Sequence, residues 1–133
     1  FNPDFYHLNE AHGISAAFYL LNKYKSVEKL KSKLVFTTHT PEEAGNEKHD
    51  IYLCQKMSYF CGLSIDEVRK LTGLEDNQFN HSLVALRFAK LANGVSQLHG
   101  RVSQEMWSKY SGICPIISIT NAQNWKYWAD KQL

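Results

Sequence analysis

Residues 34–38 (Leu-Val-Phe-Thr-Thr) form a β-branched and aromatic run that Pro41 stops, which is the pattern of a buried strand. Comparable short runs at 5–8, 94–98 and 115–119 also read as strands, with helix-patterned stretches between them. Ile14, Ala17, Phe18 and Leu21 fall at i, i+3, i+4 and i+7, an amphipathic stripe that Asn9 is placed to cap. A short helix is expected at 26–33 and a largely buried one at 79–91. Val102, Met106 and Tyr110 mark another, and Trp125, Trp128 and Ala129 a last one. Strands alternating with helices predict an α/β fold, with a parallel sheet of about four short strands joined by right-handed crossovers.

The middle of the chain is too long for one crossover helix. Residues 40–50 (TPEEAGNEKHD) predict an exposed loop, and Ile51, Cys54, Met57 and Cys61 one side of a helix. Ser64-Ile65-Asp66-Glu67 is a capping box opening a helix that runs through Leu71 and closes at Gly73. Residues 40–75 therefore read as an excursion from the sheet.

With 44% hydrophobic residues, the 133-residue chain has the material for a folded core. The longest apolar stretch, 14–21, is far short of the ~20 residues of a membrane span. A net charge of +2 does not suggest a nucleic-acid partner, and Lys23, Lys25, Lys29, Lys31 and Lys33 read as a solvated helix face. Cys54, Cys61 and Cys114 lack CxxC spacing and neighbour apolar residues. They are expected to be buried reduced thiols, pointing to a cytoplasmic compartment. The chain opens Phe1-Asn2-Pro3-Asp4 without Met, as expected of a processed protein or a piece of a longer one.

Polar residues gather at the expected strand ends: His7 to His12 after the first, Thr37 to Thr40 after the second, Gln97 to Gly100 after the third, and Thr120-Asn121 after the fourth. Open parallel sheets bind ligands at this edge, so a polar small-molecule site is expected there. His7-x-x-Glu10-x-His12 resembles a metalloprotease motif, but its second His lies about 140° round a helix from the first, and no metal site is expected. Glu10 and His12 suit acid–base or positioning work. The hydroxyls and imidazole of 37–40 suit a sugar better than a phosphate, because Arg is absent nearby and Gly sparse. His49-Asp50 and His81 read as helix-start residues. Trp125, Tyr127 and Trp128 read as core, as a sugar-stacking platform, or as a face for a neighbouring domain.

Five ordered blocks run along essentially the whole chain. They are HLNEAH (7–12), VFTTHTP (35–41) with Ala44-Gly45, Leu86-Arg87 with ANGVSQLHG (92–100), Val102-Ser103 with Met106-Trp107, and ITN (119–121). In order and spacing the chain resembles bacterial α-glucan (glycogen/maltodextrin) phosphorylases. The resemblance implies a larger two-domain glycosyltransferase-type fold of Rossmann-like halves. It implies a pyridoxal-phosphate-dependent enzyme that cleaves α-1,4-glucan with inorganic phosphate to give glucose 1-phosphate. Residues 1–133 would be the end of the N-terminal half, with about 120–133 crossing toward a C-terminal half that this sequence does not contain. By the same resemblance His39 and Asn121 contact sugar, and Asn9, Glu10 and His12 border the catalytic cleft. The cofactor lysine and the phosphate-binding basic residues would belong to the other half. This chain would then hold no cofactor-binding residue and be inactive alone.

Partners implied are α-glucan or maltodextrin, phosphate, the C-terminal half and a second copy in a homodimer. Three positions depart from the family pattern. Ala11 stands where Gly is usual, Glu42-Glu43-Ala44-Gly45-Asn46 replaces Val-Pro-Ala-Gly-His, and Thr120-Asn121-Ala122-Gln123-Asn124 replaces Thr-Asn-Gly-Val-His. Two other functions remain open: a non-catalytic carbohydrate-binding or regulatory module, and half of a nucleotide-sugar glycosyltransferase.

Overall fold

Four apolar runs line up side by side as one parallel sheet in the computed structural model, which describes residues 3–129. Strands β1 (Tyr6–Asn9), β2 (Leu34–Thr38), β5 (Leu91–Gly94) and β6 (Ile116–Ser118) stand in the order β1-β2-β5-β6. Their register places Leu8 beside Phe36, Phe36 beside Ala92, and Ala92 beside Ile116. All four are buried, so one apolar row crosses the whole sheet beneath the helices. The adjacent row carries Asn9, Thr37, Asn93 and Ile117 on the opposite face, because successive side chains alternate. That second face is largely uncovered: His7, Asn9 and Ile117 are exposed, and Val35, Leu91 and Asn93 only partly buried. The arrangement is half of a Rossmann-like fold with helices packed on one side.

Helices α1 (Ser15–Tyr24) and α2 (Val27–Lys33) make the first crossover. Lys25 stops α1 in the left-handed conformation, and the Ser26 hydroxyl caps α2 by accepting the Lys29 N–H at 3.1 Å. Helix α5 (His81–Phe88) returns the chain to β5, and α6 (Gln97–Trp107) carries it to β6. Fully buried Phe18 of α1 is the centre of the core. Its ring lies 5.0 Å from that of Phe60, 6.0 Å from Phe79 and 5.7 Å from Phe88.

The excursion runs on past residue 75 to Asn80, so Phe60 and Phe79 both belong to it and anchor it in the same core as the sheet. It holds a two-stranded antiparallel ribbon, β3 (Lys48–Asp50) with β4 (Gln78–Asn80), and helices α3 (Ile51–Lys56) and α4 (Ile65–Thr72). Ser64 and Glu67 form the expected capping box, and Gly73 ends α4 at φ 68°. Arg87 ties the end of α4 to the turn after α6, donating to the Thr72 carbonyl at 2.7 Å and to the Ser111 carbonyl at 3.1 Å.

The structure corrects several expectations. The third strand is Leu91–Gly94 rather than 94–98, because Ser96 caps α6 by accepting the His99 N–H at 3.0 Å. The helix expected at 79–91 is His81–Phe88, since Phe79 pairs in the ribbon and the Asn80 side chain caps α5. Residues 40–50 are not simply an exposed loop. They include β3 and a 3₁₀ turn, Glu43–Gly45, and Asn46 is buried, donating to the Glu42 carbonyl at 3.0 Å. The helix expected over 51–61 stops at Lys56, and Asn9 ends β1 without capping a helix. Cys54 and Cys114 are buried as expected, whereas Cys61 is exposed. Among the described residues no helix is long and apolar enough to cross a membrane. Part of the 120–133 crossover, residues 130–133, lies outside the described residues.

Helix α6 sits very close to the sheet. A Cβ on Gly94 would come within 2.8 Å of the Gly100 backbone nitrogen, and one on Gly100 within 2.0 Å of the Ser118 hydroxyl. Backbone cannot swing aside as a side chain can. Gly94→Ala should therefore cost about 1–3 kcal/mol in urea unfolding, the usual penalty of overpacking. Gly13→Ala meets only the Leu8 Cδ2 at 3.3 Å and should stay within about 0.5 kcal/mol of the parent. Burial pushes the Cys114 thiol up to about 11 and also raises Cys54. A disulfide reagent at neutral pH should therefore modify Cys61 quickly, with the other two thiols reacting only on unfolding. Three equally fast thiols would contradict this packing.

Candidate functional site

Where β1 ends, Glu10 takes a backbone conformation that residues with a Cβ rarely adopt, φ 68° and ψ 167°. A residue held there costs about 1–3 kcal/mol and needs its surroundings to hold it. Two sets of bonds do so. Its N–H donates to the Thr37 carbonyl at 2.9 Å. Its carboxylate accepts from the His39 backbone N–H and, at 3.4 Å, from the Thr40 hydroxyl. Glu10 thus ties the end of β1 to the end of β2.

The same turn brings Asn9 and His39 together. His39 Nε2 lies 2.7 Å from Asn9 Oδ1. With that oxygen accepting, Nε2 carries the ring proton and Nδ1 is left as an acceptor. His12, on the 3₁₀ turn Ala11–Ile14, is exposed beside them. Glu10, His12, His39, Thr40, Asn46 and Glu47 line a cleft of about 430 Å³ at this sheet edge. Three of the five expected site residues, Glu10, His12 and His39, therefore line it, and Asn9 joins them through its bond to His39 without lining the cleft.

A second polar chain runs along the uncovered sheet face. The Thr37 hydroxyl donates to Asn93 Oδ1 at 2.7 Å, so the His7 Nε2 at 2.7 Å from that hydroxyl must be the donor in its own bond. The Asn93 amide then bonds the Gly94 carbonyl at 3.3 Å. This network fixes the tautomer of His7, which does not line the cleft.

Asn121 lies elsewhere. It follows β6, across β5 from β2, is exposed, and donates its backbone N–H to the Val95 carbonyl at 3.1 Å. It does not line the cleft. Its turn contains no positive-φ residue among those described, so Ala122 sits there without backbone strain. Trp125, Tyr127 and Trp128, on the last helix α7 (Trp125–Trp128), are 70%, 76% and 75% exposed and form no part of the core.

Asn46, Glu47 and Ser82 also line the cleft and were missed from sequence. Glu47 is fixed because its carbonyl accepts the His81 N–H at 3.1 Å, continuing the β3–β4 ribbon by one pair. Asn46, bonded to the Glu42 and Glu43 carbonyls, shapes the loop between β2 and β3. A Lys109–Glu43 ion pair of 2.6 Å ties that loop to the end of α6.

Chemically the cleft offers carboxylates, imidazoles, hydroxyls and an amide, with no lysine or arginine among the described lining residues. That donor and acceptor set matches a neutral, hydroxyl-rich ligand better than an anion.

No family model matches the chain. It is 41% identical over 129 residues to an uncharacterized protein of Methanocaldococcus jannaschii, an alignment covering 97% of this chain and 24% of that protein. It is 34% identical over 147 residues to the maltodextrin phosphorylase of Thermococcus litoralis, covering 99% of this chain and 18% of the relative. With the glycogen phosphorylase of Aquifex aeolicus it shares 30% identity over 140 residues, covering 92% of this chain and 20% of the relative. Almost the entire chain is thus similar to a segment of glycogen and maltodextrin phosphorylases, and it spans only about a fifth to a quarter of the length of these relatives.

Proposed function

We propose that this chain forms one wall of the glucan-binding cleft of an α-glucan phosphorylase that uses inorganic phosphate to release glucose 1-phosphate. The observation that carries the proposal is the Glu10 turn, which holds Asn9 and His39 2.7 Å apart beside a cleft rich in hydrogen-bonding groups. In this reading His39 and Asn9 orient a glucosyl hydroxyl. Glu10, whose Oε1 accepts from both the His39 N–H and the Thr40 hydroxyl, positions the strand ends. His12 lies on the open side of the cleft, where it can meet substrate. Asn121 reaches sugar only from the far side of β5, as part of a cleft completed by other parts of a longer polypeptide.

Pyridoxal phosphate does not fit this cleft. The cleft has Glu10 and Glu47 in its wall and no lysine or arginine among the described lining residues to balance a cofactor phosphate, so no residue of this cleft is assigned to the cofactor. In a complete phosphorylase it would be held by the remaining polypeptide. The exposed Trp125, Tyr127 and Trp128 and the uncovered sheet face are the surfaces such a neighbour would cover.

The full-length protein should release glucose 1-phosphate from maltodextrin and phosphate in a pyridoxal-phosphate-dependent assay. His39→Ala should lower kcat/KM by about 100-fold, the cost of one well-placed polar contact to the reacting sugar. Release without any effect of His39→Ala would remove that histidine from the site. Failure of both release and cofactor binding would favour a carbohydrate-binding module.

A further inference from the structure

Beyond the cleft, the β3–β4 ribbon gathers three side chains that sequence places far apart. Glu47 and His49 are two residues apart on one strand and so share a face. His49 pairs with Phe79 across the ribbon, and His81 lies two residues beyond Phe79 on the same face. His49 Nδ1 stands 3.0 Å from His81 Nε2. One Glu47 oxygen is 3.6 Å from His49 Nδ1, and the other is 3.7 Å from His81 Nδ1. One ligand atom from each residue lies within 4.8 Å of the others.

His81 is fully buried, and its Nδ1 has no hydrogen-bond partner. Whichever nitrogen carries the ring proton, a buried polar atom faces Glu47 without a bond, an arrangement proteins rarely tolerate without a reason. Tyr59 and Phe79 wall the ring, with centroids 5.7 and 4.9 Å from it, so it cannot turn to water. Glu47 and His49 are both partly exposed and leave an entry path from solvent.

We propose that Glu47, His49 and His81 bind one divalent late-transition ion of the zinc type. The three ligand atoms lie within 4.8 Å of one another, close enough for small side-chain adjustments to bring them to the ~2.0–2.2 Å of zinc–nitrogen and zinc–oxygen bonds, with a further position open to water. Two imidazoles and one carboxylate select zinc or cobalt over magnesium or calcium, which prefer all-oxygen sites. The ion fastens β3 to the start of α5. Because Glu47 also lines the cleft, it stiffens one cleft wall. The site stands independently of the phosphorylase reading.

The test is calorimetric titration of the chelator-treated full chain with Zn²⁺, paired with Co²⁺ absorption as a report of coordination. One ion per chain is expected, with a thermal midpoint that rises with metal concentration. His49→Ala and Glu47→Gln should each weaken binding by at least about 100-fold, the upper end of the effect of even an outer-shell change. Both side chains are partly exposed, so these variants carry the test even where buried His81→Ala fails to fold. No binding by the parent, or parent-like affinity in either variant, would overturn the site. Binding abolished instead by His12→Ala or His39→Ala would overturn it too.

Discussion

Parallel strands have no hairpin between them to set their alignment, so their register must come from what each strand buries. Here it comes from Leu8, Phe36, Ala92 and Ile116, one row of apolar side chains running across all four strands under the helices. Sliding any strand by one residue would turn its member of that row outward. The same register places Asn9, Thr37 and Asn93 side by side on the other face and brings the ends of β1 and β2 level. The Glu10 turn, its bond to Thr37 and the His39–Asn9 contact all depend on that alignment.

The excursion acquires its importance through the same core. A 40-residue insertion between adjacent parallel strands would ordinarily be loosely held. Instead Phe60 and Phe79 pack on Phe18, and the ribbon between β3 and β4 carries Glu47 to the cleft. The strands run in one ascending order with no reversal, and in open α/β sheets the ligand crevice forms where the order reverses. In the function proposed above, these four strands would supply one bank of such a crevice.

Much of this was legible because periodicity and capping are local properties. Residues 34–38, the Ile14–Leu21 stripe and the Ser64–Glu67 box each declare themselves within a few residues. The third strand was misplaced because Gly94-Val95-Ser96 looks extended, while the cap that begins α6 is a side-chain bond not visible in composition. The ribbon was missed because β3 is three polar residues long and pairs with a strand 30 residues away. Its His49 and His81, though singled out as helix starters, lie 32 positions apart, and only pairing across the ribbon makes them neighbours. The strain at Glu10 has no signature in the sequence, since glycine would be the usual residue at such a φ.

The bare second face of the sheet and the exposed last helix belong to a chain with more surface than its mass alone would give. A folded monomer of 15.3 kDa is expected to expose roughly 7,100 Å², whereas this chain exposes 8539 Å². The surplus, on the order of 1,400 Å², exceeds the ~800 Å² that one partner gives up in a standard protein contact. Ile117, Ile119, Trp125, Tyr127 and Trp128 are among the large apolar side chains left in water. Their hydration makes the chain sticky at high concentration, and a domain-sized neighbour would turn the same residues from a solubility cost into a source of binding energy.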